Sequence, residues 1–147
     1  MDLNPYLNFN GNCEEAFKFY EQHLGGKIET IHTFAGSPME NQLPPEWRNK
    51  VMHIRMNVGT GVLMGSDGPG GRYQVPQGFA VSLNLKDPGE ADRVYAALSA
   101  DGQIQMAIQQ TFWARRFAMF TDKFGIPWMI NCEKPLADVA ARARKSA

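Results

Sequence analysis

Two parts of the chain alternate between apolar and polar residues, and each then changes to a period of three to four. Leu7 and Phe9 alternate with Tyr6, Asn8 and Asn10, the pattern of a half-buried strand. Cys13, Ala16, Phe17, Tyr20 and Leu24 then form one helical stripe, with Glu14, Glu15, Lys18, Glu21 and Gln22 on the wet side. Asn12 and Glu15 have capping-box spacing, and Gly25-Gly26 stops the helix. The same order returns later. Phe79, Val81, Leu83 and Leu85 alternate with Ala80, Ser82 and Asn84. A helix follows from Asp87, with Pro88 at its first position and a stripe of Ala91, Val94, Tyr95 and Leu98, ending at Asp101-Gly102.

Further strands follow each helix: Ile28 to Phe34, Val51 to Val58 and Gly61 to Met64 in the first case; Gln103 to Phe112, Phe117 to Thr121 and Trp128 to Cys132 in the second. The organisation is strand–helix–strand–strand–strand, twice. A shift of 75 places Glu15-Ala16 on Glu90-Ala91 and Tyr20 on Tyr95, but the repeated element order is the stronger sign of a duplicated module. The expected layout is a single domain over 1–147, with module 1 at about 1–67, a Gly/Pro-rich loop at 68–77, module 2 at about 78–134 and a basic C-terminal helix at 135–147.

Helices on a largely antiparallel sheet cover one face. Met52, Ile54, Met56 and Val58 belong to the face that meets them, and His53, Arg55 and Asn57 to the other. Amide and small side chains dominate that second face, with few lysines or glutamates, which suits a hollow better than a solvated surface. His53 is the titratable group of greatest interest there, as a general base or, when protonated, a partner for an anion. Gln110, Trp113 and Tyr73 are the further candidates for lining a cavity. Arg115-Arg116 could anchor an acidic group, although a surface position is the simpler reading.

Composition narrows the partners. Lysine plus arginine and aspartate plus glutamate both number 15, so there is no electrostatic footprint for nucleic acid or an anionic membrane. Apolar residues make up 44 % and charged residues 20 % of 147, ordinary globular usage with material for a real core. No apolar run approaches a membrane span, and Met1-Asp2-Leu3-Asn4-Pro5 lacks the features of a signal peptide. Cys13 and Cys132 are far apart and do not suggest a disulfide framework. A cytoplasmic protein is expected. Gly68 to Gly71 does not match a phosphate-binding loop, and no nucleophile elbow is present.

The run Tyr6-Leu7-Asn8-Phe9-Asn10-Gly11-Asn12-Cys13-Glu14-Glu15-Ala16, with Phe19-Tyr20 and Leu24-Gly25, resembles the opening of the PhnB-like family. That family lies within the glyoxalase/bleomycin resistance/dioxygenase (vicinal oxygen chelate) superfamily. Gln110-Thr111-Phe112-Trp113-Ala114 and the run from Thr121-Asp122-Lys123-Phe124-Gly125 to Ile126-Pro127-Trp128-Met129-Ile130-Asn131 are similar to its C-terminal signature, so the resemblance covers about 4–133. It implies an α+β fold in which two βαβββ modules form a cupped mixed sheet, in a homodimer. It leaves the reaction open, because the superfamily hosts isomerases, dioxygenases, thiol transferases and binders.

Metal-dependent members carry His, Gln or Glu near the start of each module's first strand and Glu in each last strand. Here those addresses fall at Pro5-Tyr6 and Gly78-Phe79, and at Met64 and Met129, where thioethers replace carboxylates. His23 reads as solvated surface, His32 has no second ligand nearby in sequence, and Asp67, Asp122 and Glu133 read as turn or surface residues. The expectation is a PhnB-like small-molecule-binding protein without cofactor or metal, its ligand held by His53, Arg55, Asn57, Tyr73, Gln110 and Trp113. The alternative is a glyoxalase- or dioxygenase-like metalloenzyme holding one divalent metal ion through unconventional ligands, His53 among them.

Overall fold

The computed structural model describes residues 1–69, 71–135 and 137–139. The chain divides into two compact units, Met1–Pro76 and Gln77–Ala147. The expected C-terminal helix over 135–147 falls largely outside the described residues. The fold is α+β, and each unit repeats one βαβββ order around its own mixed four-stranded sheet, which is not closed.

Module 1 contains β1 (Tyr6–Phe9), α1 (Cys13–Leu24), β2 (Lys27–Thr33), β3 (Val51–Val58) and β4 (Gly61–Asp67), in the sheet order β1-β4-β3-β2. β1 and β4 run parallel, and the remaining pairs are antiparallel. Two single 3-10 turns, Glu40–Gln42 and Pro45–Trp47, lie between β2 and β3. Of the expected α1 stripe, Cys13, Ala16, Phe17 and Tyr20 are buried and Leu24 is half-buried. They pack on Leu7, Phe9, Ile54, Met56 and Leu63, all buried. Phe17 lies directly over Gly65, where even a methyl group would come within 2.8 Å of its ring.

Module 2 contains β5 (Val81–Asn84), α2 (Pro88–Ser99), β6 (Gln103–Gln109), β7 (Ala114–Thr121) and β8 (Pro127–Glu133), in the order β5-β8-β7-β6. Asp87 caps α2 as its spacing predicts, its side chain accepting the Glu90 amide at 2.9 Å, and Ala91, Val94, Tyr95 and Leu98 are all buried. Trp128 and Ile130 face the core, whereas Met129 between them is half-buried on the other face.

Several expectations are corrected. Asn12 makes no capping bond with its side chain; Oδ1 of Asp67 accepts the amides of Gly11 and Cys13 instead, at 2.8 and 3.0 Å. β4 does not stop at Met64 but runs to Asp67, because parallel pairing continues to Phe9 opposite Asp67. Asp67 is therefore a buried strand residue, its Oδ2 accepting the Val51 amide at 2.9 Å, rather than a loop carboxyl.

Asp122 is buried too. It accepts the amides of Phe124 and Ile126 and the indole N–H of Trp128, which fixes the tight turn between β7 and β8. β6 ends at Gln109 rather than Phe112, since the Thr111 amide donates to the Ala114 carbonyl and the Thr111 hydroxyl accepts the Ala114 amide, which closes a turn. Phe79 precedes β5 and is exposed, so it does not join the apolar face. His23 is half-buried with its ring 4.6 Å from that of Phe19, not a solvated residue.

Candidate functional site

In module 1, strand register decides which side chains share the polar face. Tyr6 stands opposite Met64, Met64 opposite Arg55 and Arg55 opposite Thr30, a row crossing all four strands. Residues directly opposite in a ladder project to the same side. His53 and Asn57 flank Arg55 on that side by the two-residue period of a strand. These three expected site residues are brought together and are each half-buried.

Their partners come from distant parts of the module. The Tyr6 hydroxyl is hydrogen-bonded to Nδ1 of His53 at 3.2 Å, and the two rings stack with centroids 5.7 Å apart. When the hydroxyl donates, the neutral imidazole carries its proton on Nε2 and offers that group as a donor. Arg55 Nε donates to Glu29 at 2.9 Å. The Asn57 side chain and then Arg55 hold the Glu29 carboxyl below its ordinary range. His32, which has no ligating neighbour in sequence, stands directly opposite His53 across β2 and β3.

Tyr6 was the functional candidate that the sequence left out. Its alternation with Leu7 placed it on this face, but only the fold brings it to His53, 47 positions away. Tyr73 is half-buried in the loop after β4, where its backbone crowds Gly68. Gln110 and Trp113 belong to module 2. Gln110 is exposed beyond the end of β6. Trp113 packs against Phe112 and Phe117, with ring centroids 4.8 and 5.2 Å away, and its carbonyl accepts the Lys134 amide.

The same strand relationship exists in both modules. Ser82 stands opposite Met129 in the parallel pair β5–β8, as Tyr6 stands opposite Met64 in β1–β4. The residue facing Met129 is thus Ser82, rather than Gly78 or Phe79. Neither pair by itself offers carboxylate or imidazole, the donors that a divalent ion of the hard or borderline kind needs. Among the described residues, no three His, Cys, Asp or Glu side chains cluster as a metal-holding group.

Two βαβββ modules, each with its first strand paired in parallel to its last, define the class of protein. The chain belongs to the Glyoxalase/Bleomycin resistance protein/Dioxygenase superfamily, whose profile matches residues 3–130. It is 35 % identical over 143 residues to protein YjdN of Escherichia coli K12, covering 91 % of this chain and 97 % of that one. Among solved structures it is similar to protein PA1353 of Pseudomonas aeruginosa, at 45 % identity and a TM-score of 0.80, over 92 % of this chain and 99 % of the other. The fold is shared as well with the PhnB protein of Bacillus cereus, a putative 3-demethylubiquinone-9 3-methyltransferase, at 21 % identity and a TM-score of 0.75, over 89 % and 98 % of the two chains. Among the described residues no helix is long and apolar enough to cross a membrane.

Proposed function

We propose that this PhnB-like chain binds a small molecule on the polar sheet face of module 1, without a metal at the superfamily's usual positions. The observation that carries this reading is the Tyr6–His53 pair, stacked and hydrogen-bonded beside Arg55 and Asn57. The pair offers a planar surface and an oriented imidazole, and Arg55 and Asn57 add donors already ordered by Glu29. Such a face selects a small polar ligand with a flat group to stack and an acceptor for Nε2. A thermal-shift screen tests it, because a ligand specific for the native state stabilises by mass action. A hit whose stabilisation disappears in His53→Ala and weakens in Tyr6→Phe supports the reading, and one indifferent to both overturns it.

The His32–His53 register favours a second reading, a metalloenzyme with ligands at unconventional positions. Metal analysis of protein purified without chelator or affinity tag separates the two. Stoichiometric zinc, iron or manganese that vanishes in His53→Ala selects the second reading and removes the first.

A homodimer in the cytoplasm completes the proposal. Ile104, Met106 and Phe112 expose 54, 36 and 53 % of their surface along and just beyond β6, apolar area that a second copy would cover. Sedimentation equilibrium at micromolar concentration checks it, and a monomer there would remove the dimer.

A further inference from the structure

Module 2 holds a cavity of about 580 Å³ where the C-terminal ends of β5 and β8 meet. Parallel pairing puts Asn84 opposite Asn131, so the residues following both strands emerge at the same edge. Lys86 follows β5, Lys134 follows β8, and Arg115 comes from the start of β7, beside Ala114, which pairs with Glu133. All of these but Ala114 line the cavity.

Charge distinguishes this place. Three cations, Lys86, Arg115 and Lys134, face one acid, Glu133, an excess of two. Among the described residues none of the three makes a side-chain hydrogen bond or ion pair. The neighbouring Arg116 is taken by Asp92 at 2.6 Å, and Lys18, Arg48, Arg55 and Arg93 each meet a glutamate. Arg115 is thus left available where Arg116 is committed.

The amide of Asn131 adds a second requirement. Its Nδ2 donates to Asn84 Oδ1 at 3.4 Å and to Glu133 Oε1 at 3.1 Å, which fixes the orientation of the group. Its Oδ1 is buried and has no partner among the described residues. A buried acceptor needs a donor; Asn131 is half-buried and itself lines the cavity, so a small shift of the side chain opens Oδ1 to a bound group.

We infer that module 2 carries a binding site for a small organic dianion, a phosphate monoester or a dicarboxylate, that also presents a hydroxyl or amino donor to Asn131. Arg115 supplies the fork that matches either anion, Lys86 and Lys134 supply compact charges, and Asn131 reads the donor. This goes beyond the function proposed above, since every residue in it belongs to module 2.

Calorimetric titration of the full chain at fixed ionic strength tests the site with two matched pairs of probes. Glycerol 3-phosphate is compared with propyl phosphate, and malate with succinate; the first of each pair is hydroxylated and the second has the same carbon chain without hydroxyl. The expected result is saturable one-to-one binding of glycerol 3-phosphate or malate, whichever binds naming the anion class. That binding should be about tenfold weaker for the hydroxyl-free partner and at least about tenfold weaker in Arg115→Gln and in Lys86→Gln. Both variants change exposed side chains, and an unchanged melting temperature verifies that they fold. Absence of saturable binding, equal binding of hydroxyl-free probes, or unchanged affinity in both variants overturns the inference.

Discussion

Asp67 holds the backbone of Cys13 from 54 positions further along the chain, its Oδ1 accepting that amide at 3.0 Å. The same carboxyl takes the amides of Gly11 and Val51, so one side chain ties the turn after the first strand, the first helix and the third strand together. Asp67→Ala strands these donors, at roughly 1–3 kcal/mol for each buried amide left unpaired. Urea unfolding of the variant should show a loss of about 3 kcal/mol or more. Asn12→Ala, by contrast, should cost well under about 1 kcal/mol, since Asn12 makes no capping bond.

Gly65 is the second point of no tolerance in module 1. A Cβ there would stand 2.8 Å from the Leu7 carbonyl oxygen and 2.8 Å from the Phe17 ring, backbone on one side and packed aromatic on the other. Gly65→Ala should therefore destabilise by about 1–3 kcal/mol, the usual cost of overpacking. The equivalent test at Gly25 goes the other way in cause: nothing crowds a Cβ there, and any cost comes from its φ of 67°. Thermal melts of both variants separate crowding from backbone strain.

Glu29 makes the polar face sensitive to acid. The Asn57 side chain and then Arg55 lower its pKa, so the folded carboxyl titrates below the ordinary value of about 4.3. A depressed carboxyl contributes its stabilisation above the unfolded value and loses it as pH falls through the folded one. Carbon-detected NMR titration should place the Glu29 midpoint below the other exposed glutamates. In Asn57→Ala and in Arg55→Gln alike the midpoint should rise toward them.

Cys13 gives an opposite sign. Burial pushes the Cys13 thiol well above its ordinary range, with Asp67 and Glu14 adding to the effect. A raised thiol stabilises the fold below the unfolded value of about 8.5 and loses that contribution as pH climbs past it. Stability should decline above that pH in the native chain and decline less in Cys13→Ala. Cys13 and Cys132 are both buried, so a thiol reagent at pH 7 should count neither in the folded protein and both in denaturant.

The local pattern carried most of the architecture. The stripes Cys13–Ala16–Phe17–Tyr20 and Ala91–Val94–Tyr95–Leu98 are visible as periodicity because the helices bury one face each. The cap at Asp87 was legible for the same reason, its partner Glu90 being three residues away. What escaped the sequence depended on long-range partners. Asn12 and Glu15 spelled a capping box, but a buried carboxyl from β4 supplied the acceptor. Asp67 looked like a loop acid because the amides it serves, at Gly11, Cys13 and Val51, lie 16 to 56 positions away. On the polar face, His53, Arg55 and Asn57 could be aligned by alternation alone, whereas Tyr6, Glu29 and His32 needed the sheet register to join them.

The parallel pairing of the first and last strands of each module has a kinetic consequence. In each module the first strand can be hydrogen-bonded into its sheet only by the last, so β1 has no ladder partner until β4 has been made. The helix between them is held by contacts of the same long reach. This is a high-contact-order closure, which slows folding because loop entropy is lost before the contacts repay it. On the ribosome, the N-terminal half should stay open until Asp67 has emerged and then lock as one unit, well before the second half is complete.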